Sequence, residues 1–504
     1  MPIFFDFPNE WIAFLVFFAI IMTFIGLAEL ARNVLKLSPE LSRKFVHVMV
    51  GILVSLAPFF LETKLPVLVL GVLFTVLNYV ALKKDSLKGM HTTERISFGT
   101  VYFPIAFTLL VVMFWDRNLV IFILSMLILA FSDTAATIVG ERINSKNSFT
   151  LWHDQKSWPG SITFFITTII VVLAAYPIYA GLAGYQPLPL IHVLGLAVFT
   201  GSVTSVAEAV SKQGSDNLTL TLAAGLALDL YLHNLAQGTL LALGGWFAIS
   251  VLLGYGAYKL RSLSVSGGFG AFLLGVFMFG IGSWSTMLPL IGFFVLSSIL
   301  SKIADRKNKP DIIATKGSQR DIVQVYANGG IPLLFSIAWY LSDFSFDWLY
   351  WAFLASLASA TADTWETEIG SFSKGLPLNI ISWKRVPKGY SGGISLVGTV
   401  GGLFGAAAIV AIAYSINTIE LSMDLFIMII LSGFMGSVVD SILGARIQAK
   451  FICSKCDEPT ERLIHCGHQT IPVSGVKWFS NDWVNVAGTL SGGGIFLLFY
   501  FIWV

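Results

Sequence analysis

Residues 119–139 read LVIFILSMLILAFSDTAATIV, an apolar run whose only charge is Asp133. About 20 such residues in a helix cross the ~30 Å hydrocarbon layer of a bilayer. Comparable runs lie near 11–30, 45–61, 66–82, 99–115, 161–179, 190–210, 217–232 and 237–257. A second series follows near 268–283, 286–301, 326–341, 348–369, 392–415, 422–446 and 483–503. The reading is an all-α polytopic bundle of about 16 spans. The weakest span is 217–232, which is short and holds Asp229. Composition agrees: 56% of the 504 residues are hydrophobic and 12% charged, where a soluble domain carries about twice that share of charge. A water-soluble enzyme, a disordered chain, a secreted disulfide scaffold and a nucleic-acid binder are excluded. Asp6 and Glu10 precede the first run, where a cleavable signal would carry positive charge.

With these spans, all of the 31 Lys and Arg except Lys64 and Arg117 fall on one side. That bias makes the basic side cytoplasmic and turns both termini outward. The expectation is a multi-pass protein of a prokaryotic plasma membrane, with its working loops in the cytoplasm.

Two halves follow one plan. Ser132-Asp133-Thr134 leads to Gly140, then to Lys156-Ser157-Trp158-Pro159-Gly160-Ser161. Ala362-Asp363-Thr364 leads to Gly370, then to Lys388-Gly389-Tyr390-Ser391-Gly392-Gly393. Gly201-Ser202-Val203 matches Gly436-Ser437-Val438, and Asp216-Asn217 has a counterpart in Asn481-Asp482. Arg43-x3-His47-x3-Gly51 resembles Arg320-x3-Gln324-x3-Asn328. The shared order and side imply parallel rather than inverted repeats, divided into 1–235 and 236–504.

Chemistry is expected at the basic edge. Asp133, Glu208, Asp363, Glu366, Glu368 and Asp440 all approach the ends of spans there. Ionisable groups at such depth are costly and usually functional. Clustered carboxylates repel unless a cation holds them, and Mg2+ is the expected ion; the bland alternative is helix capping or packing. Each Lys/Gly/Ser loop is read as opening the next span. Glycine lets backbone N–H groups approach a phosphate, and a nearby lysine adds a point charge. The alternative is a glycine-rich helix start beside a topogenic lysine. His47, next to Arg43 and Lys44, either binds phosphate or packs. No P-loop and no Rossmann fingerprint is present.

All three cysteines lie in one loop, Cys453-x2-Cys456-x8-His465-Cys466-Gly467-His468. The spacing suits a structural zinc site of three Cys and one His, the alternative being incidental thiols.

Residues 30–230 resemble the phytol kinase and dolichol (polyprenol) kinase family. The resemblance rests on Arg43-Lys44-x2-His47-x3-Gly51, Asp133-x6-Gly140, Lys156-Ser157-x2-Gly160-Ser161 and Glu208 with Asp216-Asn217-Leu218-Thr219. One departure is the 143–155 loop, which lacks the glycine-rich stretch common before the Lys-Ser pair. Residues 240–504 resemble the phytyl-phosphate kinase family. Here the matches are Ser298-x2-Ser301-Lys302, Lys316-Gly317-x-Gln319-Arg320-Asp321-x2-Gln324-Val325-x-Ala327-Asn328-Gly329-Gly330 and Ala360-Thr361-Ala362-Asp363-Thr364-Trp365-x2-Glu368-Ile369-Gly370. Pro387-x-Gly389-x2-Gly392-Gly393-x-Ser395, Gly436-Ser437-x2-Asp440-Ser441-x2-Gly444 and Asn481-Asp482-x2-Asn485 complete it.

The resemblances imply CTP-dependent phosphorylation of an isoprenoid alcohol in one half and of its monophosphate in the other. The lipid substrates would lie in the bilayer and the nucleotide would come from the cytoplasm. Asp133, Lys156, Asp363 and Lys388 would be catalytic. Arg43, His47, Ser157, Gly160, Ser161, Asp216, Asn217, Lys316, Arg320, Gln324, Asn328, Gly389, Gly392, Gly393, Asn481 and Asp482 would bind substrate or nucleotide. Positioning and charge neutralisation would dominate, and an acid near the hydroxyl would serve as base in the first reaction. The rivals are a lipid cytidylyltransferase, which releases pyrophosphate from CTP, and a secondary transporter.

Overall fold

The computed structural model describes residues 1–503 except 6, 37, 85–97, 144–147, 153, 308–318 and 417–420. It divides into two compact units, Met1–Leu240 and Leu241–Val504. The break falls five residues beyond the expected 235/236 boundary, where the next helix starts at Leu240.

Unit 1 contains α1 (Glu10–Leu35), α2 (Pro39–Ser55), α3 (Lys64–Lys83) and α4 (Gly99–Phe114). It continues with α5 (Leu119–Arg142), α6 (Trp158–Leu182), α7 (Leu190–Ala209) and α8 (Asp216–Ala236). Unit 2 contains α9 (Leu240–Lys259), α10 (Val265–Gly282), α11 (Trp284–Lys307) and α12 (Ile322–Leu341). Then come α13 (Asp347–Gly370), α14 (Leu396–Ile416), α15 (Met423–Arg446) and α16 (Asn481–Trp503). Fourteen helices among the described residues are long and apolar enough to cross a membrane. The other two are α4, with 16 residues, and α13, whose hydropathy is diluted by Asp347, Asp363, Glu366 and Glu368. The protein is a polytopic helical membrane protein. The weak 217–232 stretch is a full helix, and its Asp229 is paired with Arg117 at 3.0 Å.

Local chemistry sets where these helices begin. Ser38 accepts a hydrogen bond from Leu41 N at 3.2 Å and Pro39 follows it, so α2 starts six residues before the expected position 45. α14 starts at Leu396 rather than 392, because Gly393–Ile394 is a strand paired with Leu378–Asn379. Bare glycine faces let helices approach closely. A Cβ on Gly433 would lie 3.1 Å from Ala355 O, and one on Gly492 would lie 2.9 Å from the same oxygen, so α15 and α16 both lie against α13.

Not everything is helix. Strands β1 (Ser148–Thr150) and β2 (Gln155–Ser157) form an antiparallel hairpin that leads into α6. Strands β3 (Leu378–Asn379) and β4 (Gly393–Ile394) stand before α14. Between α15 and α16 a small antiparallel sheet runs β6-β5-β8-β7, from β5 (Lys450–Cys453), β6 (Pro459–Thr460), β7 (Ile464–His465) and β8 (His468–Ser474).

Candidate active sites

In unit 1 the polar residues singled out from sequence meet in one cavity of about 950 Å³. Its lining includes Arg43, His47, Asp133, Lys156, Ser157, Gly160, Ser161, Glu208, Asp216 and Asn217. The same cavity extends along an apolar wall of Ile21, Ile25, Val50, Leu70, Phe74 and Phe107. One space therefore offers charge at one part and hydrocarbon at another.

Each polar side chain is placed by its element. α5 contains one π turn, Leu129–Asp133, ending at the acid; such turns recur at functional sites. His47 Nε2 donates to Leu129 O at 3.1 Å, since a carbonyl only accepts, and it lies 3.9 Å from Asp133 Oδ2. Phe103 meets the His47 ring edge-to-face at 5.3 Å. The Lys156 ammonium, delivered by β2, donates to Glu208 Oε1. Burial works against the Lys156 charge, and Glu208, Asp216 and Asp133 outweigh it, raising its pKa above the ordinary lysine value. Ser157 Oγ accepts from Gly160 N at 3.2 Å and so caps α6. A Cβ on Gly160 would lie 3.1 Å from Ala136 O, which fixes a close crossing of α5 and α6.

Glu208 and Asn217 line this cavity, and their buried Oε2 and Oδ1 atoms have no hydrogen-bond partner among the described residues. They are hard oxygen donors beside Asp133 and Asp216, the type Mg2+ takes. These residues fit that ion by donor chemistry; they line a volume and do not enclose a single point.

Unit 2 arranges similar parts differently. Asp363 and Asp440 lie beside each other, and the Thr399 and Ser437 side chains lie beside Glu366, with Ser437 Oγ donating to Phe434 O at 2.9 Å. Ser301 Oγ donates to Glu368 Oε1 at 2.5 Å. The nearby cation is Arg320. Burial depresses its pKa below the ordinary arginine value, and the charges of Glu368 and Asp363 oppose that. Its backbone is clamped by Ser264 N donating to Arg320 O at 3.0 Å and Arg320 N donating to Ser262 O at 3.1 Å. Asp321 and Gln324 form a reciprocal capping box at 3.0 and 3.1 Å, so the Gln324 amide caps α12. Asn328 Nδ2 donates to Gln324 O at 3.1 Å. Asn481 and Asp482 open α16. Lys316 lies outside the described residues.

The two Lys/Gly loops differ in register. The partners of Ser157 and Gly160 are Ser395 and Gly398, where Ser395 Oγ accepts from Gly398 N at 3.1 Å. A Cβ on Gly398 would lie 2.7 Å from Glu366 O and 3.2 Å from Gly370 Cα, repeating the Gly140–Gly160 crossing of unit 1. The Lys388–Gly393 stretch precedes that start. Lys388 Nζ donates to Ser371 O at 3.0 Å and Ser373 O at 2.5 Å, beyond the end of α13. Gly389 and Gly392 take positive φ of 77° and 79°, as turns there require.

In the loop sheet, one ligand atom from each of Cys453, Cys456, His465 and Cys466 lies within 4.8 Å of the others. His468 is not in that group. Hydrogen bonding from His465 and from the Lys455 N–H lowers the Cys453 thiol to about 6. This is the tightest convergence of metal-ligating side chains among the described residues.

Several partners were not singled out from sequence. Lys44 Nζ pairs with Glu141 at 2.7 Å on the cavity wall, and Ser391 Oγ donates to Glu461. Lys450 Nζ lies 4.2 Å from the Tyr390 ring centroid. The charges of Glu141 and Glu461 were visible in the chain, but no local pattern ties them to residues so far away.

Residues 248–493 match the family described as Integral membrane protein DUF92. Protein PGR of Arabidopsis thaliana is 30% identical over 264 residues, covering 48% of this chain and 90% of that protein. A phytol kinase of Synechocystis is 27% identical over 209 residues, covering 40% of this chain and 86% of the relative. Protein VTE6, chloroplastic, of Arabidopsis thaliana is 24% identical over 241 residues, covering 47% of this chain and 65% of the relative. No solved structure matches.

Proposed function

The chain belongs to the integral membrane DUF92 family, and on that premise we propose that it is a membrane-embedded isoprenoid kinase with two sites. Unit 1 phosphorylates an isoprenoid alcohol such as phytol or geranylgeraniol, and unit 2 phosphorylates the resulting monophosphate to the diphosphate. CTP is the phosphoryl donor and Mg2+ the accompanying ion. The similarity to a protein named phytol kinase supports the kinase class. The observation that carries the substrate class is the unit 1 cavity, which joins Arg43, Lys156, Asp133, Glu208 and Asp216 to an apolar wall of α1, α2, α3 and α4. A polyprenyl tail fits the wall, and its hydroxyl fits the charged part.

The residues divide the work. Asp133 would take the alcohol proton, and His47 Nε2, held by Leu129 O, lies 3.9 Å from its Oδ2. Lys156 and Arg43 offer positive charge to donor phosphates, and the capped start of α6 offers backbone N–H groups. Mg2+, held by Glu208, Asp133, Asp216 and Asn217, would neutralise phosphate charge. In unit 2 the substrate is already a nucleophile and needs no base. Arg320 supplies a planar fork suited to its phosphate. The excess of Lys and Arg on one side supports cytoplasmic placement of both sites and outward termini.

The test is incubation of purified protein with labelled CTP, Mg2+ and candidate alcohols, followed by mass analysis of lipid and nucleotide. Isoprenyl mono- and diphosphate with CDP are expected. A CDP-lipid with pyrophosphate would make it a cytidylyltransferase instead.

A further inference from the structure

We infer that the 450–474 sheet is a structural zinc lobe, with Cys453, Cys456, His465 and Cys466 as ligands, and that it fastens the Lys388–Gly393 loop beside the acids of unit 2. A tetrahedral zinc with Zn–S near 2.3 Å and Zn–N near 2.0 Å sets its ligand sulfurs about 3.8 Å apart and sulfur and nitrogen about 3.5 Å apart. The Cys456 and Cys466 sulfurs lie 3.9 Å apart. His465 Nδ1 lies 3.5 Å from Cys456 Sγ and 3.4 Å from Cys466 Sγ. Lys455 N donates to Cys453 Sγ at 3.4 Å, the kind of outer contact that orients a thiolate ligand. Four protein ligands leave no open position, so the ion is structural.

The fold explains the convergence. Cys453 ends β5, Cys456 follows in the turn, and His465 ends β7 before the tight turn at Cys466 and Gly467, whose φ values are 52° and 77°. The sheet has little core of its own, since most of β8 is exposed. A metal supplies what so small a lobe lacks.

Two contacts tie the lobe to the loop. Ser391 Oγ donates to Glu461, which lies between β6 and β7. Lys450 of β5 lies over Tyr390 and donates to Ala445 O at 3.1 Å. Gly392 is pressed against the end of α15, where its added Cβ would lie 2.7 Å from Ala445 N. Asp440, of the acid cluster, lies on that same helix.

The test combines metal analysis with hydrogen exchange on the full chain in detergent. Protein purified without chelator is expected to hold about one zinc, to lose it in Cys453→Ser and His465→Ala, and to keep it in His468→Ala. After chelation under reducing conditions, cobalt should restore the visible absorption of tetrahedral thiolate coordination. Exchange at residues 388–393 should speed up at least tenfold on chelation and recover with zinc. Glu461→Gln should speed the same exchange while keeping the metal, which separates the clamp from unfolding of the lobe. Absence of zinc together with failure to take up cobalt would overturn the site. So would metal content indifferent to Cys453→Ser and His465→Ala. Zinc present, with exchange at 388–393 unchanged by chelation, would overturn the clamp. None of these readouts depends on kinase activity, so the proposed reaction can fail independently.

Discussion

The two units share a device and use it differently. In each, an acid lies seven residues before a glycine that stands at or near the end of the same helix, Asp133 before Gly140 and Asp363 before Gly370. In each, a serine caps the next helix and a glycine there presses against the first helix. Around that device unit 1 leaves a cavity of about 950 Å³ and pairs Lys156 with Glu208. Unit 2 sets its acids beside one another and beside hydroxyls, and the cation among them is the half-buried Arg320. The contrast fits the two proposed substrates. Both substrates carry the same tail, but a neutral alcohol also needs a base for its proton. A phosphate needs a bidentate cation and no base. On the proposed reading, the shared scaffold sets where chemistry occurs and the cation beside it selects the substrate.

The largest effect expected short of removing an acid is at Lys156. Lys156→Met should cut alcohol phosphorylation by about 10²- to 10³-fold, the scale of losing a charge that faces the reacting group. Conversion of supplied monophosphate should remain. The lysine pKa is raised, so its charge persists through neutral pH and is lost only as pH rises through that elevated value. Alcohol phosphorylation should therefore show no alkaline fall attributable to Lys156 below the ordinary lysine range. Equal loss of both reactions would erase the contrast between the units.

Arg320→Lys keeps the charge and removes the fork. It should slow the monophosphate step about tenfold or more and spare the alcohol step. An unchanged rate would show that Arg320 only packs against Phe293, whose ring centroid lies 5.5 Å from its guanidinium carbon.

Gly398→Ala sharpens the claim of a shared crossing. Its Cβ would lie 2.7 Å from Glu366 O, a backbone atom that cannot swing away. A loss of about 1–3 kcal/mol is expected for such overpacking, read as a lower midpoint of unfolding in detergent. Gly26→Ala, with nothing within 4 Å of the new Cβ, is the control and should not lower it.

The smallest effect is expected at Lys388. Its ammonium serves carbonyls beyond the end of α13, so Lys388→Ala should cost about 1 kcal/mol or less and change the monophosphate rate less than about threefold. A loss as large as that of Lys156→Met would restore the equivalence suggested by sequence spacing.

How much could be read from the chain follows from the range of each interaction. Hydropathy is local, and all sixteen expected stretches are helices. Acids within apolar runs stand out, so Asp133 and Glu208 of the unit 1 cavity could be named beforehand. Register was harder. Lys156–Gly160 and Lys388–Gly392 share a spacing, yet the structural partner of Gly160 is Gly398, because Ser395, just past the pairing of β3 with β4, is the serine that caps α14. That pairing joins Asn379 to Gly393 and leaves no periodic mark. Glu141 with Lys44, 97 positions apart, and Glu461 with Ser391, 70 apart, were illegible for the same reason. Asp321 and Gln324 show the reverse: their three-residue spacing is that of a capping box, a short-range pattern legible in the chain.

The most direct test supplies isoprenoid alcohol and isoprenyl monophosphate separately, with labelled CTP, to wild type, Asp133→Asn and Asp363→Asn, and measures product per folded molecule. Two sequential sites predict a crossed result. Asp133→Asn should lose alcohol phosphorylation, by about 10³-fold or more if the acid is both base and ion ligand, and still make diphosphate from monophosphate. Asp363→Asn should accumulate monophosphate from alcohol and stop there. Loss of both reactions in either folded variant would mean one shared site, and near-normal turnover in both would leave these acids with no part in the chemistry.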